Sequence, residues 1–125
     1  LGATTIWEHW NGIDENGDIW SPSMNSYNHY AYGSVADWVY SVAAGINTQE
    51  AYPGYERVRI APHPDSRLDW LEAVLETRHG KISSRWKKEG SVWEYAITTP
   101  VPGEIVIGDT VHEVKAGSYI FYSKC

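Results

Sequence analysis

The sequence predicts a mainly β protein: an antiparallel, jelly-roll-like β-sandwich preceded by a loop and one helix. Three observations carry this. Apolar residues recur with a period of two from Tyr55 to the end of the chain. Turn-forming pairs containing Gly or Pro separate those runs at short intervals. Before Tyr55, a single stretch instead shows three- and four-residue apolar spacing. Short strands with one polar and one apolar face, separated by frequent turns, spell a sandwich.

Taken in order, residues 1–25 hold an aromatic and acidic stretch, Thr4-Thr5-Ile6-Trp7-Glu8-His9-Trp10, and then a polar loop from Asn11 to Asp18. The β-branched run reads as a strand end opening into a cleft. Asp14, Asn16 and Asp18 have a calcium-like spacing. However, Gly17 is misplaced for such a loop and no bidentate acid follows at the required distance, so a solvated turn is expected.

A helix is expected over about 26–45, capped by Asn25 or Ser26. Tyr27, Tyr30, Ala31, Val35, Trp38, Val39, Val42 and Ala43 give it one broad apolar face. Gly45 supplies a left-handed stop, having no Cβ to clash. Asn47 to Gly54 reads as a polar linker, which places the domain boundary at 52/53.

From there Val58 and Ile60 alternate with Arg57 and Arg59, and Leu71, Ala73 and Leu75 with Glu72 and Glu76. Ile82, Ser84 and Trp86 form a third inward set, and Trp93, Tyr95 and Ile97 a fourth. Shorter strands are expected at 104–107, 111–114 and 118–122. A domain of this size is near the lower limit for a self-sufficient core. The helix in the first part cannot bury its own apolar face. Its residues Val35, Trp38, Val39 and Val42 are therefore expected to pack on the sandwich or on a second copy, giving a homo-oligomer.

Composition narrows the function classes. Hydrophobic residues make up 42% of the 125, and charged residues 21%, as in a folded domain. The aromatics are 7 Trp and 9 Tyr against 1 Phe, a bias toward rings with a polar handle that suits sugar clefts and interfaces. A net charge of -6 argues against nucleic acid. The single cysteine, Cys125, excludes an internal disulfide framework and leaves the compartment open. No apolar run reaches the roughly 20 residues of a membrane-spanning helix. Leu1-Gly2-Ala3-Thr4 has no initiator Met and no signal-peptide pattern, so the chain is expected to be a piece of a longer protein.

Glu8 is the first candidate catalyst. Between Trp7 and Trp10 its carboxylate would be partly desolvated, as a working acid or base requires. The residue pattern is equally compatible with a capping or ion-paired glutamate. His29 is the second candidate. At a helix N-terminus an imidazole favours its neutral form, which donates and accepts hydrogen bonds and so suits sugar hydroxyls. Read from the residues alone, a capping histidine is the preferred assignment.

His9, His63, His79 and His112 lack metal-ligand spacing, and no phosphate-cradling loop is present, so neither metal nor cofactor is expected. Trp86 and Trp93 could form a glycan platform, with cross-strand packing the preferred reading.

The segments Gly2-Ala3-Thr4-Thr5-Ile6-Trp7-Glu8-His9-Trp10 and Pro22-Ser23-Met24-Asn25-Ser26-Tyr27-Asn28-His29-Tyr30-Ala31-Tyr32-Gly33 together resemble the C-terminal part of bacterial α-L-rhamnosidases. Tyr52-Pro53-Gly54-Tyr55-Glu56-Arg57-Val58-Arg59-Ile60-Ala61-Pro62 resembles the junction into their C-terminal β-sandwich. The resemblance implies that residues 1–52 are the end of an (α/α)6 catalytic barrel and residues 53–125 the sandwich. It implies hydrolysis of terminal α-L-rhamnosyl bonds with inversion, using two carboxyls about 6.5–9.5 Å apart. It makes Glu8 the general base and His29 a contact to the rhamnose of a rhamnose-containing glycan or glycoside. The general acid then lies in an upstream part of the barrel, and the chain alone is expected to be inactive. A carbohydrate-binding module, or a structural and assembly domain, is the alternative.

Overall fold

The structure, a computed structural model, describes residues 2–125. The chain divides into two compact units, residues 1–36 and 37–125.

The first unit has little regular structure. The Thr4–Trp10 stretch forms no strand, against the expectation. It is held instead to the 26–29 segment. The Glu8 amide donates to Ser26 O at 2.8 Å and the His29 amide to Ile6 O at 2.8 Å, while the Thr5 hydroxyl donates to Tyr27 O. Between these segments the polar loop folds on Asp14, whose Oδ1 accepts the amides of Asn16 and Asp18 at 2.8 and 2.9 Å. This is a side-chain-supported turn of the kind Asp favours. Asn25 ties the loop's start to the later segment: its Nδ2 donates to Gly12 O at 2.7 Å and to the Tyr27 hydroxyl at 2.8 Å.

The helical stretch begins later than expected. It runs through a 3-10 turn at Tyr30–Gly33, the α-helix α1 at Ser34–Trp38 and a π turn at Val39–Ala43. Neither Asn25 nor Ser26 caps it. His29 stands at the N-cap, and its side chain makes no capping hydrogen bond. The start is displaced because residues 26–29 spend their backbone groups on Ile6 and Glu8 rather than on a helical turn. Val35, Trp38 and Val42 are exposed, Val39 is half-buried, and Ala43 is buried.

The second unit contains the sandwich. Its strands are β1 Ile46–Thr48, β2 Val58–Ile60, β3 Trp70–Thr77, β4 Gly80–Glu89, β5 Val92–Thr99, β6 Gly103–Ile107, β7 Thr110–Val114 and β8 Gly117–Lys124. They form two four-stranded sheets, ordered β1-β2-β6-β7 and β3-β4-β5-β8. The expected polar linker is thus more structured than a linker: its first residues, Asn47 and Thr48, belong to β1, which pairs antiparallel with β2, Ile46 facing Ile60. One pair departs from the antiparallel rule, β2 running parallel to β6 with Val58 opposite Gly103. A Cβ at position 103 would stand 2.1 Å from Val58 O, so only glycine admits β6 at this distance.

The core lies between the two sheets. Ile46, Val58, Ile60, Ile105 and Ile107 come from one sheet, and Ala73, Ile82, Trp86, Trp93, Tyr95 and Ile97 from the other. The period-two reading placed all four inward sets correctly, because each strand alternates between buried and more exposed positions. Trp86 and Trp93 are 0% and 7% exposed and pack edge to face, 5.3 Å between centroids. They cannot serve as a glycan platform. Cys125 is a free, exposed thiol. Among the described residues, no helix is long and apolar enough to cross a membrane.

Candidate active site around Glu8 and His29

The local folding of the first unit positions Glu8 through three neighbours. Its amide is fixed by Ser26 O, and its own carbonyl accepts the Tyr32 hydroxyl at 3.1 Å. The carboxylate Oε2 accepts the Ser26 amide at 2.9 Å. The same oxygen stands 4.0 Å from Nδ1 of His29, with both side chains partly buried. Oε1 takes no protein hydrogen bond among the described residues.

Ser26 therefore acts as a clasp. A backbone N–H on one carboxylate oxygen fixes the group's rotation and leaves the other oxygen available, a charge-assisted bond stronger than a neutral one.

His29 is brought to the carboxylate by the bond from its own amide to Ile6 O, while its ring lies 5.2 Å from that of Tyr32. Trp7 packs edge to face on Tyr27 at 5.1 Å, which holds its indole beside Glu8. Trp10 is fully exposed. Ile6, Trp7, Glu8, Trp10 and Tyr32 line an open cleft of about 620 Å³. The cleft offers apolar and aromatic walls around one carboxylate, a composition suited to a sugar ring with apolar C–H faces and polar hydroxyls.

The structure thus brings Glu8 and His29 together. Of the other histidines, His9 packs on Trp20 at 4.7 Å, and His112 on Phe121 at 4.6 Å. Among the described residues, no group of three or more His, Cys, Asp or Glu side chains could hold a metal ion. Residue-level reading missed Ser26 and Tyr32. Ser26 looked like a helix cap, and its contribution is a backbone amide that side-chain chemistry does not advertise. Tyr32 lies three residues after His29, one helical turn on, and that spacing was the available signal.

Two family models match the chain. Residues 1–43 match the bacterial α-L-rhamnosidase six-hairpin glycosidase domain, and residues 45–116 match the bacterial α-L-rhamnosidase C-terminal domain. The chain belongs to the bacterial α-L-rhamnosidase family. Among curated relatives, an α-L-rhamnosidase of Streptomyces avermitilis is 41% identical over 101 residues, covering 81% of this chain and 9% of the relative. One from Formosa agariphila is 39% identical over 108 residues, covering 85% of this chain and 11% of the relative.

Solved rhamnosidase structures agree in fold. The Streptomyces avermitilis α-L-rhamnosidase complexed with L-rhamnose superposes with a TM-score of 0.77 at 31% identity, covering 98% of this chain and 14% of that one. The Aspergillus terreus α-L-rhamnosidase gives 0.78 at 29% identity, covering 98% and 15%. The chain spans about a tenth of the length of the curated rhamnosidases it matches.

Proposed function

We propose that this chain is the C-terminal part of an inverting α-L-rhamnosidase and carries the general base, Glu8, of its active site. The observation that carries the reading is the Glu8 carboxylate itself. One oxygen is clasped by the Ser26 amide and faces His29, and the other is unengaged, on a side chain that lines an aromatic cleft. In this reading the unengaged oxygen takes a proton from water as the water oxygen bonds to the anomeric carbon. The bond from that carbon to the leaving oxygen breaks, and a general acid from elsewhere in the barrel protonates the leaving group. His29 contacts the bound rhamnose, and the Trp7 and Tyr32 rings border the sugar.

The natural ligand is a glycan or glycoside ending in α-L-rhamnose. Residues up to the Gly45 turn form the end of the barrel in this reading, and the sandwich starts at β1, earlier than the boundary expected at 52/53. The exposed Val35, Trp38 and Val42 then pack on further barrel helices in the parent protein.

Because the acid and most sugar contacts lie outside this chain, it hydrolyses nothing alone. General acid–base assistance is worth typically 10²–10⁴-fold, and positioning more. The test is an assay on an aryl α-L-rhamnoside, comparing the purified chain with the parent protein. Turnover by the parent and none by the chain is expected. Turnover by the chain alone overturns the division of the site, and none by the parent overturns the activity.

A further inference from the structure

The outer face of the β3-β4-β5-β8 sheet carries a pattern that the catalytic reading does not use. Side chains in one cross-strand row share a face, and the pairing puts Trp70, Lys87, Glu94 and Tyr122 in a single row across all four strands. Trp70 is 64% and Tyr122 62% exposed, each on an edge strand. Three strand spacings separate them, about 14 Å. Between them Lys87 Nζ lies 3.3 Å from a Glu94 oxygen, and the Tyr122 hydroxyl donates to the other Glu94 oxygen at 3.3 Å.

The next rows are Glu72, Arg85, Ala96, Ile120 and then Val74, Ser83, Thr98, Ser118. Beyond the ion pair the two inner strands therefore present Arg85 and Ala96 and then Ser83 and Thr98, a polar floor in which the Thr98 and Ser118 hydroxyls lie 2.9 Å apart. Larger apolar groups stand only along the two edges.

We propose that this face binds a short neutral oligosaccharide, its sugar rings resting on Trp70 and Tyr122 and its hydroxyls bonding Lys87 and Glu94 between them.

Two features favour a sugar over a protein surface. The centre of the face is a Lys–Glu pair, and the cores of protein interfaces are depleted in both residue types. The aromatics stand apart with a polar floor between them, whereas an anchoring cluster would be contiguous. Lys87 is bonded by both Glu89 and Glu94, so the row gives a neutral chain of hydroxyls a donor and acceptors and gives a polyanion no net attraction. The Glu94 charge pushes the Tyr122 phenol up, and the hydrogen bonds that Lys87 donates to Glu89 and Glu94 do the same for its ammonium, so both remain donors at neutral pH.

The inference rests on the sandwich alone and is independent of Glu8. It is tested by affinity electrophoresis of this chain through gels containing α-L-rhamnan, xyloglucan or mixed-linkage β-glucan. The comparison set is Trp70→Ala, Tyr122→Ala and, as an exposed aromatic off this face, Trp38→Ala. Circular dichroism establishes that each variant is folded. Retardation is expected in at least one gel, with affinity reduced about tenfold by each of Trp70→Ala and Tyr122→Ala and unchanged by Trp38→Ala. No retardation in any gel, or retardation indifferent to the two substitutions, overturns the proposal. So does a sedimentation profile in which Trp70→Ala and Tyr122→Ala abolish a dimer, since the face would then be a protein contact.

Discussion

The indole Nε1 of Trp86 donates a hydrogen bond of 2.8 Å to the carbonyl of Ala43, the last residue of the helical stretch. Helix ends leave carbonyls without intrahelical partners, and a buried one must find a donor. Here the sandwich supplies it. The Ser84 hydroxyl adds a bond of 2.6 Å to Ala44 O, and the His63 and Ala61 amides reach Ala43 O and Gly45 O at 3.3 and 2.9 Å. The end of the helix is thus stitched to β4 and to the segment after β2 by groups that the core already contains.

Removing the side-chain donors is expected to destabilise the chain, since it leaves Ala44 O without the Ser84 bond and Ala43 O with the His63 amide alone. Ser84 is fully buried, so Ser84→Ala should cost about 1–3 kcal/mol. Trp86→Phe should cost more, because it loses the Ala43 bond and leaves a cavity. Urea unfolding of the chain measures both. A neutral Ser84→Ala would show that the bond to Ala44 contributes nothing net.

Gly45 closes the same junction at φ +72°, where a Cβ would stand 2.1 Å from the Ala61 carbonyl carbon. Gly45→Ala adds left-handed strain of about 1–2 kcal/mol to a clash that backbone must relieve. The expected result is loss of cooperative unfolding or failure to accumulate as folded protein. A variant with wild-type thermal stability would contradict this geometry.

A pH effect is expected at Asp65. Arg67 bonds its carboxylate through both guanidinium and amide, and lowers its pKa from 3.8 to about 2. A carboxylate held low in the folded state contributes stability above its unfolded value, and that contribution fades as pH falls from about 3.8 to about 2. Carbon-detected NMR titration should give Asp65 a midpoint near 2 in the chain, and Arg67→Ala should return it toward the ordinary aspartate value. An ordinary midpoint in the unsubstituted chain would remove Arg67 as the cause.

The exposed Trp38 and Val42 should make the isolated chain self-associate with rising concentration, since the partners proposed for that face are barrel helices outside it. Light scattering should show a larger mass at high concentration, and Trp38→Ser should lower it. A monomer at all concentrations would mean that the face is tolerated by water.

His29 is assigned a contact to sugar rather than a step in proton transfer. In the parent protein, His29→Ala should raise KM about fivefold, the loss of roughly 1 kcal/mol of hydrogen bonding, with a smaller change in kcat. A loss confined to kcat would instead make His29 part of the chemistry, acting on Glu8 across their 4.0 Å separation.

The sandwich was legible because its strands keep strict alternation: Ile82, Ser84 and Trp86 inward against Lys81, Arg85 and Lys87 outward leaves one register in which the core closes. Three things were not legible. Strand β1 has only three residues and too little pattern to show a period. The parallel pairing of Val58 with Gly103 joins residues far apart in the chain, which local alternation does not report. The helix start was misplaced because Tyr27 continues the helical spacing of Tyr30 and Ala31, although backbone bonds to Ile6 and Glu8 hold its segment out of a helical turn. At the site, residue chemistry left Glu8 open between catalyst and structural acid. Its approach to His29 came only with the family resemblance and the fold.

The most direct measurement of the central claim is kcat for Glu8→Gln in the parent protein, on an α-L-rhamnoside with a good leaving group. Such a substrate needs little help from the general acid, so the rate reports on activation of water. The expected result is a loss of about 10²–10⁴-fold in kcat with KM little changed. Activity within a fewfold of the unsubstituted enzyme would show that the carboxylate clasped by Ser26 is not the base.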